Sequence, residues 1–147
     1  MRLLLALTLL TTGCSGPLAG EWFGTLSCGT IHFDFEMELA RDGGKSYLGT
    51  GKQERNYTAV NGDDTHEIVE FDASLELRKA GGPQNLNGDL TCTFEQKVVT
   101  HLSGGEPEVL SEGCTPLRYN DYQYAWDGKD AIDVQGPDAC SGTLDRL

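Results

Sequence analysis

The side chains best able to carry out acid–base or metal chemistry are scattered along this chain. Its three histidines are His32, His66 and His101. No His-Glu-x-x-His pair and no Gly-x-Ser-x-Gly elbow is present. An acidic run contains the residue types that could bind a divalent cation, but its spacing fits no established metal loop. The members of that run are Asp63, Asp64, His66 and Glu67. We therefore expect neither an enzyme nor a resident metal or other cofactor.

Aromatic side chains are concentrated in the segment 118–126, RYNDYQYAW. Tyr122, Tyr124 and Trp126 have the same parity, so in a strand they would share one face. Tyrosine and tryptophan provide large amphipathic contact areas at a small entropic cost. Together with Tyr119 they are our candidates for binding a ligand or a partner. The alternative is that this face points inward, where the rings would fill the core or line a cavity.

The N-terminus has the composition of an export signal. Arg2 precedes a short apolar run, and small residues lead to Gly13-Cys14. This pattern resembles the signal peptide of bacterial lipoproteins. The resemblance implies a signal peptide over 1–13, a lipidated Cys14, a tether over 14–20 and one domain over 21–147. It also implies an exported protein anchored to the cell envelope, with Ser15 favouring the outer membrane. Ordinary secretion, with cleavage nearer Ala19, is the alternative.

The cysteine count agrees with export. The chain has five cysteines, and an odd number in an exported protein needs an explanation. Cys14 is either lipidated or removed with the signal peptide, so under both interpretations it is not available for a disulfide. The other four cysteines are enough for two disulfides. Three pairings are possible. We favour Cys92–Cys114, which joins consecutive elements, together with Cys28–Cys140, because the terminal strands meet if the sheet closes.

The net charge limits the possible partners. A formal charge of −12 repels phosphate backbones, so nucleic acid is not expected to bind. The same charge would attract a basic protein, although acidity equally serves solubility. The apolar run over residues 3–10 is too short to span a bilayer. We therefore expect contact with the membrane through the N-terminal lipid.

Strict alternation of apolar and polar residues predicts an all-β fold. Three such runs have their apolar faces at Ile31, Phe33, Phe35, Met37 and Leu39; at Val69, Phe71, Ala73, Leu75 and Leu77; and at Leu86, Leu90, Cys92, Phe94 and Val98. Turn residues separate about eight strands. The predicted strands lie near 21–28, 30–40, 46–57, 66–79, 85–102, 115–126, 130–135 and 140–146. We expect an antiparallel meander, closed as a small barrel in preference to a sandwich.

Glycines recur on the predicted inner face of several strands. Gly24, Gly88 and Gly142 each precede a leucine by two residues. A glycine in such a position marks a tight bend or an aromatic ring packed against the backbone. Repeated bends of this kind are what barrel closure needs.

Two short motifs at the ends of the domain resemble the lipocalin and calycin group. They are Gly20-Glu21-Trp22 and, near the C-terminus, Arg146. The resemblance implies that Arg146 packs over Trp22 where the first and last strands meet. It also implies a non-catalytic carrier of a small apolar or amphipathic ligand. The predicted cavity would be lined by Phe33, Phe35, Phe71 and Leu90.

A second resemblance supports an alternative function. Tyr124, Trp126, Gly128-Lys129, Ala131 and Cys140 follow the order of similar residues in the membrane-bound inhibitors of c-type lysozyme. This likeness implies a protein-binding lipoprotein that inhibits a basic hydrolase. It requires Tyr122 and Trp126 to be exposed. A structural envelope component is the third possibility.

Overall fold

The computed structural model describes residues 16–114, 121–137 and 139–147, which form strands and turns without a helix. Nine strands in these residues belong to one antiparallel sheet. They are β1 (Gly20–Cys28), β2 (Ile31–Gly43), β3 (Ser46–Thr58), β4 (Asp64–Glu76), β5 (Gln84–Thr100), β6 (Glu108–Glu112), β7 (Gln123–Trp126), β8 (Ala131–Gln135) and β9 (Cys140–Arg146). Within the described ranges, no helix is long and apolar enough to cross a bilayer.

The sheet closes into an eight-stranded barrel, as predicted. Strands β1 to β5 pair in sequence, β5 continues to β7, and β7 to β9 return the sheet to β1. All of these strand pairs are antiparallel, and antiparallel strands can be joined by short turns. The eight strands therefore form a simple closed meander. The predicted strand over 115–126 is represented by β7, since residues 115–120 lie outside the described residues.

Strand β6 is the ninth strand and was not predicted. It pairs with the far end of β5, opposite residues 96–99, and does not take part in the closure. Every one of its five residues is exposed. Apolar and polar residues alternate along a strand because one of its faces is buried. Strand β6 has no buried face, so its sequence contains no period-2 pattern.

The inward faces of the eight strands form the core. These side chains alternate with exposed ones, as expected for a sheet with one wet and one dry face. The largest of the fully buried side chains include Trp22, Tyr47, Phe35, Phe71, Tyr124, Leu90, Ile132 and Leu144. Both predicted disulfides are confirmed: Cys28–Cys140 joins facing residues of β1 and β9, and Cys92–Cys114 joins β5 to the segment after β6.

The inner-face glycines allow close approaches between neighbouring elements. A Cβ atom on Gly24 would lie 2.0 Å from the carbonyl oxygen of Thr143 on β9. A Cβ atom on Gly88 would lie 2.7 Å from the ring of Tyr124. At Gly24 the neighbouring strand's backbone comes close, and at Gly88 an aromatic ring packs against the backbone. Close backbone approach and packing of a ring against glycine, as expected for inner-face glycines, therefore both occur in the barrel.

One predicted strand face is wrong, because a bulge changes the parity of β5. The register with β4 shifts between Glu70 and Phe71, which face Phe94 and Cys92 respectively. The extra residue of a bulge moves every later side chain to the opposite face. Phe94 and Val98 therefore lie in register with outward-facing residues, while Glu95 and Lys97 turn inward.

Residues 16–19, expected to be part of a tether, instead pack against one end of the barrel. The Leu18 side chain is fully buried. Trp22 donates a hydrogen bond from Nε1 to the Leu18 carbonyl oxygen at 3.0 Å. The reason is apolar burial, since Leu18 covers core side chains that would otherwise face water at this end. We call it the closed end.

Candidate ligand-binding site

Trp22 and Arg146 meet at the closed end. The two residues are directly opposite each other on β1 and β9. The guanidinium of Arg146 lies over the Trp22 ring, 4.4 Å from its centroid. Arg146 also donates hydrogen bonds to the carbonyl oxygens of Ala19 and Pro17. The arginine thus ties the N-terminal segment to the last strand, and this end of the barrel is sealed rather than available for a ligand.

Two of the four aromatic candidates belong to the core. Tyr124 is 1% exposed and Trp126 is 3% exposed. Trp126 donates from Nε1 to the Lys129 carbonyl oxygen at 3.1 Å, which satisfies its only donor. The exposed Trp126 required by the inhibitor alternative is therefore not found, because these rings fill the space between β5 and β8. Tyr119 lies outside the described residues.

The Tyr124 hydroxyl is buried without a hydrogen-bond partner in the part of the chain that the structure describes. Burial, followed by the charges of Tyr122 and Asp89, raises the pKa of Tyr124 well above its ordinary value. The phenol therefore remains neutral at physiological pH. Loss of a proton would place a charge in an apolar environment, which is costly.

Tyr122 lines a cavity at the end of the barrel opposite the closed end. It is partly buried, and its hydroxyl oxygen accepts a hydrogen bond of 2.8 Å from Nε2 of Gln53 on β3. Its ring lies beside that of Tyr124, with 6.5 Å between the centroids. The Tyr122 side chain thus separates the packed core from the opposite end of the barrel, which we call the open end.

The cavity at the open end has a volume of about 510 Å³ and is accessible from solvent. Its wall combines apolar groups with polar side chains that converge on the same space. The apolar part is formed by Ile31, Phe33, Val69, Pro137 and the Cys28–Cys140 disulfide, and the polar part includes Gln53, Arg55, Glu67, Glu95 and Lys97. Of the four side chains predicted to line a cavity, Phe33 does so here. Phe35, Phe71 and Leu90 instead fill the core.

Glu67 is at the centre of the polar part. Its carboxylate accepts hydrogen bonds from Arg55 Nε at 2.6 Å and from Tyr57 Oη at 3.2 Å. Lys97 Nζ is 3.0 Å from the same carboxylate. Burial alone would raise the pKa of Glu67, but the hydrogen bonds from Arg55 and Lys97 outweigh it, so the pKa lies below its ordinary value. Glu67 is therefore ionised and holds two cations in place.

Arg55 lies between two aromatic rings. Its guanidinium carbon is 4.9 Å from the Phe33 centroid and 4.5 Å from the Tyr57 centroid. Cation–π contacts of this kind orient a guanidinium and strengthen when water is excluded. The Arg55 side chain is 18% exposed. The group is thus fixed, largely shielded from water, and directed into the cavity.

The polar cluster of Arg55, Glu67 and Lys97 was not predicted from the sequence. Arg55 and Glu67 do have the parity of buried neighbours on β3 and β4, which was an available signal. Lys97 had the parity of the wet face of β5 and turns inward only because of the bulge. A bulge of this kind has no composition that distinguishes it from an uninterrupted strand.

The four residues considered as metal ligands have separate partners. Asp63 lies 2.9 Å from Nδ1 of His101, and Asp64 accepts a hydrogen bond from Thr58. His66 pairs with Glu54, while Glu67 is inside the barrel. Among the described residues, no three His, Cys, Asp or Glu side chains are grouped as ligands of a metal ion.

No protein-family model matches this chain, and no curated protein or solved structure matches it. The likeness to lipocalins therefore depends on the barrel and on the Trp22–Arg146 pair alone. The closed end, the packed core and the open-end cavity are the features from which a function can be argued.

Proposed function

We propose that this protein is a non-catalytic binding module that holds a small amphipathic molecule in the open-end cavity. The observation that supports this proposal is the cavity itself. Its volume of about 510 Å³ falls within the range of roughly 300–1,000 Å³ that is typical of small-molecule sites. Such sites combine an apolar wall with a few converging polar groups, which is the composition found here.

The proposal includes export and membrane attachment through Cys14. The two disulfides fit an oxidising compartment outside the cytoplasm. A lipid on Cys14 would provide the anchor, and Ser15 favours the outer membrane of a bacterial envelope. A carrier or sequestering role in that compartment needs only binding and release of the ligand.

The hydrolase-inhibitor alternative has less support. It depended on an exposed aromatic surface, and Trp126 is 3% exposed. The formal charge of −12 remains compatible with a basic partner. Charge alone gives attraction without a defined contact surface, so we favour the small-ligand proposal.

The first test is native mass spectrometry of the Cys14→Ala chain, exported to a bacterial periplasm and purified without detergent. We expect extra mass that is released on denaturation. If no extra mass is found, the same sample is titrated with decanol, decylamine, decanoate and decyl phosphate to measure whether any of them binds. The proposal is wrong if no bound mass is found and none of these four amphiphiles binds.

A pair of phenylalanine substitutions locates the binding site. Phe33→Ala removes an apolar wall of the cavity, and we expect it to weaken binding roughly 10-fold or more, as for loss of a buried aromatic contact. Phe23→Ala is the matched control, since Phe23 is 39% exposed on the outer face of β1. Equal effects of the two substitutions would place the ligand elsewhere.

A further inference from the structure

We infer that the ligand of the open-end cavity carries an anionic headgroup, a carboxylate or a phosphate monoester, that is bound by Arg55. This inference rests on the proposed function and adds the chemical class of the ligand. It follows from the hydrogen-bond donors that the cavity presents.

Several N–H donors of Arg55 have no acceptor in the described part of the chain. A guanidinium has five N–H groups, and within the described part of the chain Arg55 donates a hydrogen bond only from Nε, to Glu67. The two Nη groups have no protein acceptor there. Because the side chain is 18% exposed, bulk water reaches it poorly. A partly buried donor without an acceptor is unfavourable, so a ligand oxygen at this position would gain the most.

The geometry of Arg55 suits an anion with two oxygens. The Glu67 carboxylate fixes the Nε side of the Arg55 guanidinium. The rings of Phe33 and Tyr57 hold the plane of the guanidinium. The Nη edge therefore remains in a defined orientation. A planar pair of donors binds carboxylate or phosphate through two parallel hydrogen bonds. An uncharged hydroxyl would use one donor and leave the other unpaired.

Lys97 adds a second positive charge on the opposite side of Glu67. Arg55, Lys97 and Glu67 together carry one net positive charge. Glu95 also lines the cavity, so the formal charges of the four charged lining residues that the structure describes balance. Selectivity for an anion therefore depends on the direction of the Arg55 donors rather than on net charge. The same arrangement gives a cation little advantage, because both Arg55 and Lys97 already pair with the Glu67 carboxylate.

The apolar wall determines the other half of the ligand. Ile31, Phe33 and Val69 line the same cavity as Arg55. An alkyl or ring system placed against them would remove apolar surface from water at about 25 cal/mol per Å². A free inorganic anion would leave this wall exposed. The site therefore fits an amphipathic anion, with its head at Arg55.

The test uses the detergent-free Cys14→Ala chain, stripped of bound ligand, and calorimetric titration with four decyl compounds. We expect decanoate or decyl phosphate to bind at least roughly 10-fold more tightly than decanol, as a charge-assisted bidentate contact implies. The tighter of the two anions identifies the headgroup as carboxylate or phosphate. Decylamine should bind no better than decanol.

Three variants assign the effect to Arg55. Arg55→Gln should abolish the preference for the anion while decanol affinity is unchanged, and Arg55→Lys should restore part of it. Arg41→Gln is the matched control, since Arg41 is an exposed arginine that contacts Gly44 at the closed end. Circular dichroism shows whether each variant has kept the fold.

Glu67→Gln provides a test in the opposite direction. The amide oxygen of this variant can still accept from Arg55 Nε and keep its orientation, while a negative charge beside the ligand is removed, so we expect decanoate affinity to rise several-fold. The inference is overturned if decanol binds as tightly as both anions, if decylamine is preferred, or if Arg55→Gln leaves the anion preference intact. In each of those cases binding itself persists. Failure of all four compounds to bind would also overturn the inference, and together with the absence of a releasable mass it would refute the proposed function.

Discussion

His101 connects two turns and a strand through a pair of carboxylates. Its Nδ1 lies 2.9 Å from Asp63 in the β3–β4 turn, and its Nε2 lies 3.0 Å from Glu108 on β6. Asp63 also accepts a hydrogen bond of 2.9 Å from the backbone nitrogen of Leu102. Because β6 is exposed along its whole length, this bridge adds a side-chain contact to its backbone pairing with β5.

The stability that this His101 bridge contributes to the barrel rim depends on pH. The hydrogen bond to Asp63, followed by that to Glu108, raises the pKa of His101. Its contribution to stability is therefore complete below the ordinary pKa of about 6.5 and is lost as the pH rises through the higher folded value. The backbone hydrogen bond from Leu102, followed by His101, lowers the pKa of Asp63. Its contribution is present above about pH 4 and is lost on acidification through the lower folded value.

We predict that His101 titrates above pH 6.5 in an NMR experiment that follows its ring protons. Asp63→Asn should lower this pKa more than Glu108→Gln, since Asp63 makes the larger contribution. A His101 pKa that is unchanged by Asp63→Asn would show that the bridge does not exist in solution.

The contact between strands β1 and β9 depends on a glycine. Gly24 faces Leu144 in the register of this pair, and a Cβ atom there would lie 2.0 Å from the Thr143 carbonyl oxygen. A backbone atom cannot move aside as a flexible side chain can. Any larger residue must therefore separate the two strands that close the barrel.

We predict that Gly24→Ala lowers the free energy of unfolding by about 1–3 kcal/mol or more, the usual cost of overpacking. Gly81→Ala is the matched control, because a Cβ atom at Gly81 meets nothing within 4 Å. That variant should stay within about 0.5 kcal/mol of the parent. Urea titration followed by the fluorescence of Trp22 and Trp126 measures both. Equal stability of the two variants would contradict the close approach seen here.

The elements also show how far the sequence could be read. Alternation along Phe33 to Leu39 and Val69 to Leu77 was sufficient to identify β2, β4 and their inward faces, because burial imposes a period of two. Strand β6 has no buried face and gave no signal. The inward turn of Lys97 required the bulge, whose position is set by pairing between strands. The fold was therefore largely predictable, and the polar lining of the cavity was not.

The two ends of the barrel differ in what covers them. The closed end is covered by residues 16–19 and held by Trp22 and Arg146. The open end holds the cavity and the cluster around Glu67. The residue proposed to carry the lipid, Cys14, lies two residues before Gly16, the first residue of the segment at the closed end. At about 3.5 Å per residue, the two-residue step from Cys14 to Gly16, with only Ser15 between them, allows little separation from the membrane. The closed end should therefore face the lipid, with the cavity directed away from it.

We predict that a fluorophore at Ala80→Cys, in the exposed β4–β5 turn near the closed end, transfers energy efficiently to an acceptor on lipid headgroups. The same fluorophore at Thr30→Cys, in the β1–β2 turn beside the cavity, should transfer less, because the length of the barrel separates it from the bilayer. Lipidated protein in vesicles is the sample, and the Cys14→Ala chain is the control for attachment. Retention of the Cys14→Ala chain on vesicles would show that the anchor lies elsewhere. Equal transfer from the two positions would show that the barrel has no fixed orientation, and the cavity would then not be presented away from the membrane.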